Sequence, residues 1–272
     1  MPTHILTIGK HASISIKDRI FLGEGLFETI RVEHQRPCYS ELHWQRMRQS
    51  ASALGIPFTM SLETWHEQLA LCLIDGGIQN GGIKVILSGG LAPRGLLAHG
   101  LTSLLAFDAF TFTTLEEPIK LAYADWLRDA KNPTYQHKSV NYLESILARR
   151  EAVKEAKDDV LFFNTLHHAT ETTIANLFMI KQNELLTPKL SDGVLPGIIR
   201  ERILSIALLN KISCREESID KTTLEHAEAI FITNALQGIR SVKSLNNKLI
   251  PTDHPWIDLL SQWLRTDAIR FS

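Results

Sequence analysis

Over residues 26–32, LFETIRV, apolar and β-prone side chains fall on alternate positions, the period of a strand with one buried face. Ile14 and Ile16 alternate in the same way and predict a shorter strand over 13–16. The period then lengthens. Residues 41–54 read as a helix stopped by Gly55, with Pro57 just beyond. A second helix runs from about 61 to 74, opened by Ser61 and Glu63 and closed before Gly76-Gly77. GIKVILSGG at 82–90 is a strand leaving into a glycine turn, and 101–112 is a further strand or strand pair.

The polar, proline-ended stretch TTLEEP at 113–118 is the candidate linker between a smaller N-terminal domain, 1–112, and a larger C-terminal one, 119–272. IKLAYADW then alternates as a strand, and a loop through Asn132-Pro133 leads to Lys138. The helix after it carries Leu143, Ile146, Leu147, Val153 and Ala156 on one stripe, with Arg149, Arg150, Lys154 and Glu155 opposite, so the stripe is expected to be buried. VLFFN is a strand, Gln182-Asn183 marks a hairpin, and Pro196-Gly197 opens a helix to about Leu209. AIFITNAL is a buried strand and a helix near 256–269 follows. Strands and helices are mixed irregularly rather than in strict alternation, so the expected class is α+β, not a doubly wound sheet.

Composition narrows the function without naming it. The 272 residues are 44% hydrophobic and 22% charged, enough to bury a sizeable core. A net charge of −1 with dispersed lysines and arginines gives no field that recruits nucleic acid or an anionic membrane. Cys38, Cys72 and Cys214 are odd in number and far apart, which suits reduced packing cysteines and no metal site. No secretory signal or membrane-spanning apolar run is visible, so a cytoplasmic protein is expected.

The chemistry concentrates in HKSVNYLES and ATETTIANLF, which supply Lys138 and Glu171. An amine that can join an aldehyde, and a carboxylate that can keep a pyridine nitrogen protonated, are what a pyridoxal phosphate (PLP) cofactor needs. Alone the pair is weak, because most such residues are solvated. Arg46 sits three residues after His43 on one helix face, where it can fork onto a phosphate or simply be solvated. Pro196-Gly197 before a helix offers backbone N–H groups to an anion, or merely starts the helix. Thr233 and Asn234, at the end of a buried strand, can bind an anion or cap a turn.

Taken in order, GEGLFETIRV, HWQRMRQSASALGIP, HKSVNYLESILAR, ATETTIANLF, LPGIIRE and FITNAL resemble the fold-type IV PLP enzymes over roughly residues 10 to 243. That family holds branched-chain and D-amino acid aminotransferases and 4-amino-4-deoxychorismate lyase. The resemblance implies a two-domain α+β fold with the cofactor in the interdomain cleft. It also implies a homodimer in which a partner loop completes the site. Lys138 becomes the Schiff-base lysine and the acid/base at Cα, and Glu171 the partner of the pyridine nitrogen. Arg46, the backbone N–H groups of Ile198 and Ile199, and Asn234 become phosphate ligands. Tyr142 approaches the phenolic oxygen, and Asn176 supports strand geometry. KVILSGGLAPRGL resembles the lyase pattern and makes Arg94 a carboxylate ligand, where the alternative is a solvated loop arginine. Lyases of this type often carry a second arginine just after the strand, and this chain has Gly89 there. Thr29 matches a threonine of lyase-like sequences whose hydroxyl assists proton transfer, and otherwise it is a packed strand residue. The implied activity is the lyase, with an aminotransferase, or a binding protein without catalysis, as alternatives.

Overall fold

The computed structural model describes residues 4–5 and 14–271. It divides into two compact units. One comprises Met1–Thr113, His137–Asn141 and Ala268–Ser272, and the other Thr114–Gln136 and Tyr142–Asp267. The short segment carrying Lys138 therefore groups with the first unit, although it stands well inside the second in sequence.

The first unit contains β1 (His4–Ile5), β2 (Gly25–Glu33), β3 (Arg36–Pro37), α1 (Ser40–Leu54), α2 (Leu62–Gly76), β4 (Gly81–Ser88) and β5 (Leu104–Thr111). The strands make one sheet in the order β1-β5-β4-β2-β3, antiparallel except where β1 joins β5. Leu26, Ile30 and Val32 of β2 point into a core shared with Met47 and Ala51 of α1 and Trp65 and Leu69 of α2. Phe27, Thr29 and Arg31 therefore lie on the other face, half-buried. Both helices stop at a glycine in the left-handed region, Gly55 at φ 68° and Gly77 at φ 63°, and Ser61 caps α2 through the Thr64 N–H. The strand expected over 13–16 is not formed: Ser13 lies outside the described residues, and Ile16 is in an exposed turn.

The second unit contains β6 (Ile119–Arg128), α3 (Leu143–Lys154), β7 (Asp159–Asn164), β8 (Ala169–Thr172), β9 (Asn176–Lys181), β10 (Glu184–Thr187), α4 (Ile198–Leu209), β11 (Cys214–Glu216), α5 (Lys221–Glu225), β12 (Ala229–Asn234), β13 (Gly238–Leu245), β14 (Lys248–Leu249) and α6 (Pro255–Arg270), whose last residues count with the first unit. Its sheet runs β11-β10-β9-β12-β13-β6-β7-β8, and a further pairing of β8 with β9 closes a ring of six strands. Parallel and antiparallel neighbours are mixed, as an α+β chain allows. The interior is apolar, with Leu121, Leu161, Leu177, Met179 and Ile230 fully buried. Gln182 and Asn183, both at positive φ, make the tight turn between β9 and β10.

The amphipathic reading of α3 is corrected. Its buried residues are Ala148 and Ala152, packed with Ala122, Val160 and Phe162, whereas Leu143, Ile146, Leu147 and Val153 are exposed. Small side chains let the helix backbone approach the sheet closely, so the larger apolar stripe faces outward. All three cysteines are free, and burial pushes the thiols of Cys38 and Cys72 up to about 11 and that of Cys214 up to about 12, leaving them unreactive.

Candidate active site

In the first unit the segment around Lys138 runs as an added edge beside β2. The Phe27 N–H donates to the Lys138 carbonyl at 2.9 Å, the Val140 N–H donates to the Gly25 carbonyl at 3.0 Å, and Leu26 bridges Ser139. His137, just before, is tied to Ser50 of α1 at 3.0 Å. These bonds fix the backbone of Lys138, and its Nζ stands 4.2 Å from the centroid of the Phe27 ring. The Phe27 ring holds a second cation: Lys84 Nζ is 5.2 Å from the same centroid. Lys84 lies directly opposite Thr29 in the β2–β4 register, so Phe27, Thr29 and Lys84 share one face of the sheet. Lys84 was not singled out from the sequence, where an isolated lysine in a strand carries no signal. The register reveals it.

Behind that face is a buried charge cluster. Glu28, on the core side of β2, accepts from Arg46 Nε at 2.8 Å, Arg46 Nη2 at 2.6 Å and His43 Nδ1 at 2.6 Å. Burial pushes the Glu28 carboxyl up, but the charges and hydrogen bonds of Arg46 and His43 more than offset it and hold the group at about 2. Burial lowers the His43 pKa, the Arg46 and Lys138 charges add to that, and Glu28 opposes it. An ionised Glu28 only accepts, so the proton of neutral His43 is on Nδ1. Its Nε2 is buried without a hydrogen-bond partner. Arg46, expected as a phosphate ligand, is thus a guanidinium oriented by a carboxylate two strand positions past Leu26.

In the second unit Glu171 of β8 is held from three sides. Its Oε2 accepts from the Leu195 N–H at 3.1 Å and from Asn176 Nδ2 at 3.2 Å, and its Oε1 lies 3.5 Å from Arg128 Nη1. Asn176, read from the sequence as support for the strand, also donates to the Leu195 carbonyl at 3.0 Å, so one amide aligns both groups. Arg128 was missed. It is buried, donates to Glu144 Oε2 at 3.0 Å, and lies over Phe162 at 3.5 Å. A guanidinium in that position keeps Glu171 oriented. Nearby, Gly197 starts α4 and brings no side chain to the backbone N–H groups of Ile198 and Ile199. A Cβ on Gly197 would collide with Asn176 Oδ1, so a larger residue there would displace the amide that holds Glu171. Thr233, at the end of β12, has a buried hydroxyl with no hydrogen-bond partner. Asn234 caps the following turn, its Oδ1 accepting from the N–H groups of Leu236 at 3.1 Å and Gln237 at 2.7 Å. Tyr142 stands half-buried at the head of α3. Arg94 is exposed on the loop between β4 and β5.

These groups suit pyridoxal phosphate. An oriented carboxylate matches a protonated ring nitrogen. An uncapped helix start with an orphaned threonine hydroxyl matches an anionic phosphate.

Comparison with known proteins agrees. The model of the family "amino-transferase class IV" matches residues 25–245. A Legionella pneumophila structure provisionally described as a 4-amino-4-deoxychorismate lyase is 49% identical, with a TM-score of 0.96, covering 98% of this chain and 100% of its own. The aminodeoxychorismate lyase of Vibrio harveyi is 26% identical over 89% of this chain and 91% of its own length. The D-alanine aminotransferase of Bacillus licheniformis is 27% identical over 89% of this chain and 87% of its own. The chain belongs to the class IV aminotransferase family of pyridoxal phosphate-dependent enzymes.

Proposed function

We propose that this enzyme is a 4-amino-4-deoxychorismate lyase, which releases pyruvate and forms 4-aminobenzoate for folate synthesis in the cytoplasm. The observation that carries the reading is the sheet face on which Lys138 and Lys84 meet the Phe27 ring with Thr29 beside them. One amine serves the chemistry, and a second cation is left for a substrate anion. The lyase substrate has two carboxylates, which Lys84 and Arg94 suit. The amino-acid donors of the alternative aminotransferase carry only one, although its acceptor 2-oxoglutarate carries two, so the two-substrate assay below and not the cation count decides between them. The likeness to lyases from Legionella pneumophila and Vibrio harveyi supports the same reading.

Pyridoxal phosphate, when bound, supplies an electron sink for the charge left at Cα once its proton is removed. Lys138 would hold the cofactor at its aldehyde carbon and, once the substrate amine has displaced it there, would take the Cα proton. Thr29 offers a hydroxyl for proton transfer to the departing enolpyruvyl group. Glu171, oriented by Arg128, Asn176 and Leu195, keeps the ring-nitrogen proton in place, an electrostatic contribution of the kind that often dominates rate enhancement. Ile198, Ile199 and Thr233 would offer donors to the phosphate, and Arg46, which Glu28 fixes in orientation, is a guanidinium suited to an anion. Tyr142 would meet the phenolic oxygen, and Asn234, whose Oδ1 shapes the turn after β12, would turn its amide nitrogen to the phosphate. The working form in this reading is a homodimer. The exposed leucines of α3 and of the β4–β5 loop, Leu97 at 95%, support it, because apolar groups so placed seek a partner.

The test is one assay with two substrates. Pyruvate released from aminodeoxychorismate without any keto acid supports the lyase. Amino-group transfer from D-alanine or a branched-chain amino acid to 2-oxoglutarate, with no pyruvate from aminodeoxychorismate, refutes it.

A further inference from the structure

Arg94 stands on a loop whose neck is fastened with unusual care. The Arg19 N–H donates to the Gly90 carbonyl at 3.0 Å and the Gly89 N–H to the Glu24 carbonyl at 2.7 Å. Across the neck, the Leu91 N–H donates to the Thr102 carbonyl at 3.1 Å and the Leu101 N–H to the Leu91 carbonyl at 3.1 Å. Only glycine fits there. A Cβ on Gly89 would lie 2.5 Å from the Glu24 carbonyl and 3.0 Å from Arg19 Cβ, and one on Gly100 would strike the Gly89 carbonyl. Beyond the neck the side chains of Arg94, Leu96 and Leu97 are exposed. One buried side chain reaches this tip. Arg19 is ion-paired through Nε to Glu24, while its Nη1 donates to the Gly95 carbonyl at 3.1 Å and its Nη2 to the Leu96 carbonyl at 3.4 Å.

We infer that Arg19 is a positioning residue for substrate recognition: it fixes the two peptide units after Arg94, and so sets where the Arg94 guanidinium meets a substrate carboxylate. Glu24 orients the fork, and the fork holds the loop. With Gly89 pressed against Arg19 Cβ, no side chain can grow from position 89 in this packing. The planar fork matters, because a lysine's three N–H donors all radiate from one nitrogen and cannot span Glu24 and both carbonyls as Nε, Nη1 and Nη2 of Arg19 do. The carboxylate's identity rests on the lyase reading; the fixing of the loop does not.

The experiment compares wild type, Arg19→Gln, Arg19→Lys, Arg94→Ala and the Arg19→Gln/Arg94→Ala double variant in two readouts. One is steady-state kinetics with aminodeoxychorismate. The other is trypsin cleavage of the Arg94–Gly95 bond, followed by mass spectrometry without substrate. Arg19→Gln should raise KM about tenfold, the size expected for a lost charge-assisted hydrogen bond, with kcat little changed. Arg19→Lys should give a smaller rise. The double variant should be no worse in KM than Arg94→Ala alone, because a positioning residue has nothing left to position. Cleavage after Arg94 should accelerate about tenfold in Arg19→Gln, in line with the same lost contacts. A KM penalty from Arg19 that persists in the Arg94→Ala background, or cleavage at the wild-type rate, overturns the inference. If Arg19→Gln does not fold, Arg19→Lys carries the same comparisons. A wild type that releases no pyruvate refutes the lyase reading instead, and the cleavage rates still decide the role of Arg19.

Discussion

Replacing Glu28 by glutamine probes the charge cluster behind the sheet face that carries Phe27, Thr29 and Lys84. The carboxylate accepts three short hydrogen bonds, two from Arg46 and one from His43, and its side chain is 1% exposed. A glutamine keeps one oxygen and turns an NH2 group toward a donor. Breaking a buried ion pair by removing one partner costs about 3–5 kcal/mol. The carboxyl's own displacement gives a second route. It is held at about 2 against an ordinary 4.5, and at about 1.4 kcal/mol per pH unit this amounts to about 3 kcal/mol. The two agree. The sign follows from the downward shift: the stabilisation is complete above pH 4.5 and is lost as pH falls through 4.5 toward 2. The assay is urea unfolding of wild type and Glu28→Gln at pH 7, 4.5 and 3. The variant should be less stable by about 3 kcal/mol at pH 7, and the gap should persist to pH 4.5 and narrow by pH 3. A gap below about 1 kcal/mol at pH 7, or one that is as wide at pH 3 as at pH 7, refutes the reasoning, since a surface pair would give the former.

The other predictions concern catalysis. Glu171→Gln should retain the cofactor but lose about 10²–10³ in kcat, as comparable electrostatic losses do, and unchanged turnover would remove the carboxylate from the reaction. Lys84→Met should raise KM for aminodeoxychorismate about tenfold or more while leaving the cofactor absorbance intact. A wild-type KM would return Lys84 to the solvated surface. Arg94→Ala should weaken the same substrate by roughly one to two decades, again with cofactor absorbance intact, and wild-type kinetics would mean that it reads no carboxylate.

Much of this was legible in the sequence, because local rules decide it. β2, α1, α2, the β9–β10 hairpin and α4 follow from alternation, stop glycines and the Pro-Gly start, which act within a few residues. Lys138 and Glu171 could be singled out as candidates because each falls in a distinctive stretch. What the sequence concealed depends on contacts between distant segments. The stripe on α3 has helical period, yet the residues that pack on the sheet are Ala148 and Ala152, beside Ala122, Val160 and Phe162. Arg46 reads as a free helix cation until the strand register brings Glu28 beneath it. Asn234 fits either an anion or a turn: its oxygen serves the turn, and an anion would take the amide nitrogen instead, so the two readings do not exclude each other. Lys84 and Arg128 carry no motif. They matter because register sets one opposite Thr29, and because the closed ring of strands brings the other to Glu171.

Borohydride reduction of the cofactor-loaded enzyme, followed by peptide mapping, tests most directly that the chemistry is centred on Lys138. The reduced cofactor should be found on Lys138 alone, and Lys138→Ala should lose both the label and nearly all turnover. Label on Lys84 or Lys131, or a Lys138→Ala variant that keeps its turnover, would contradict it.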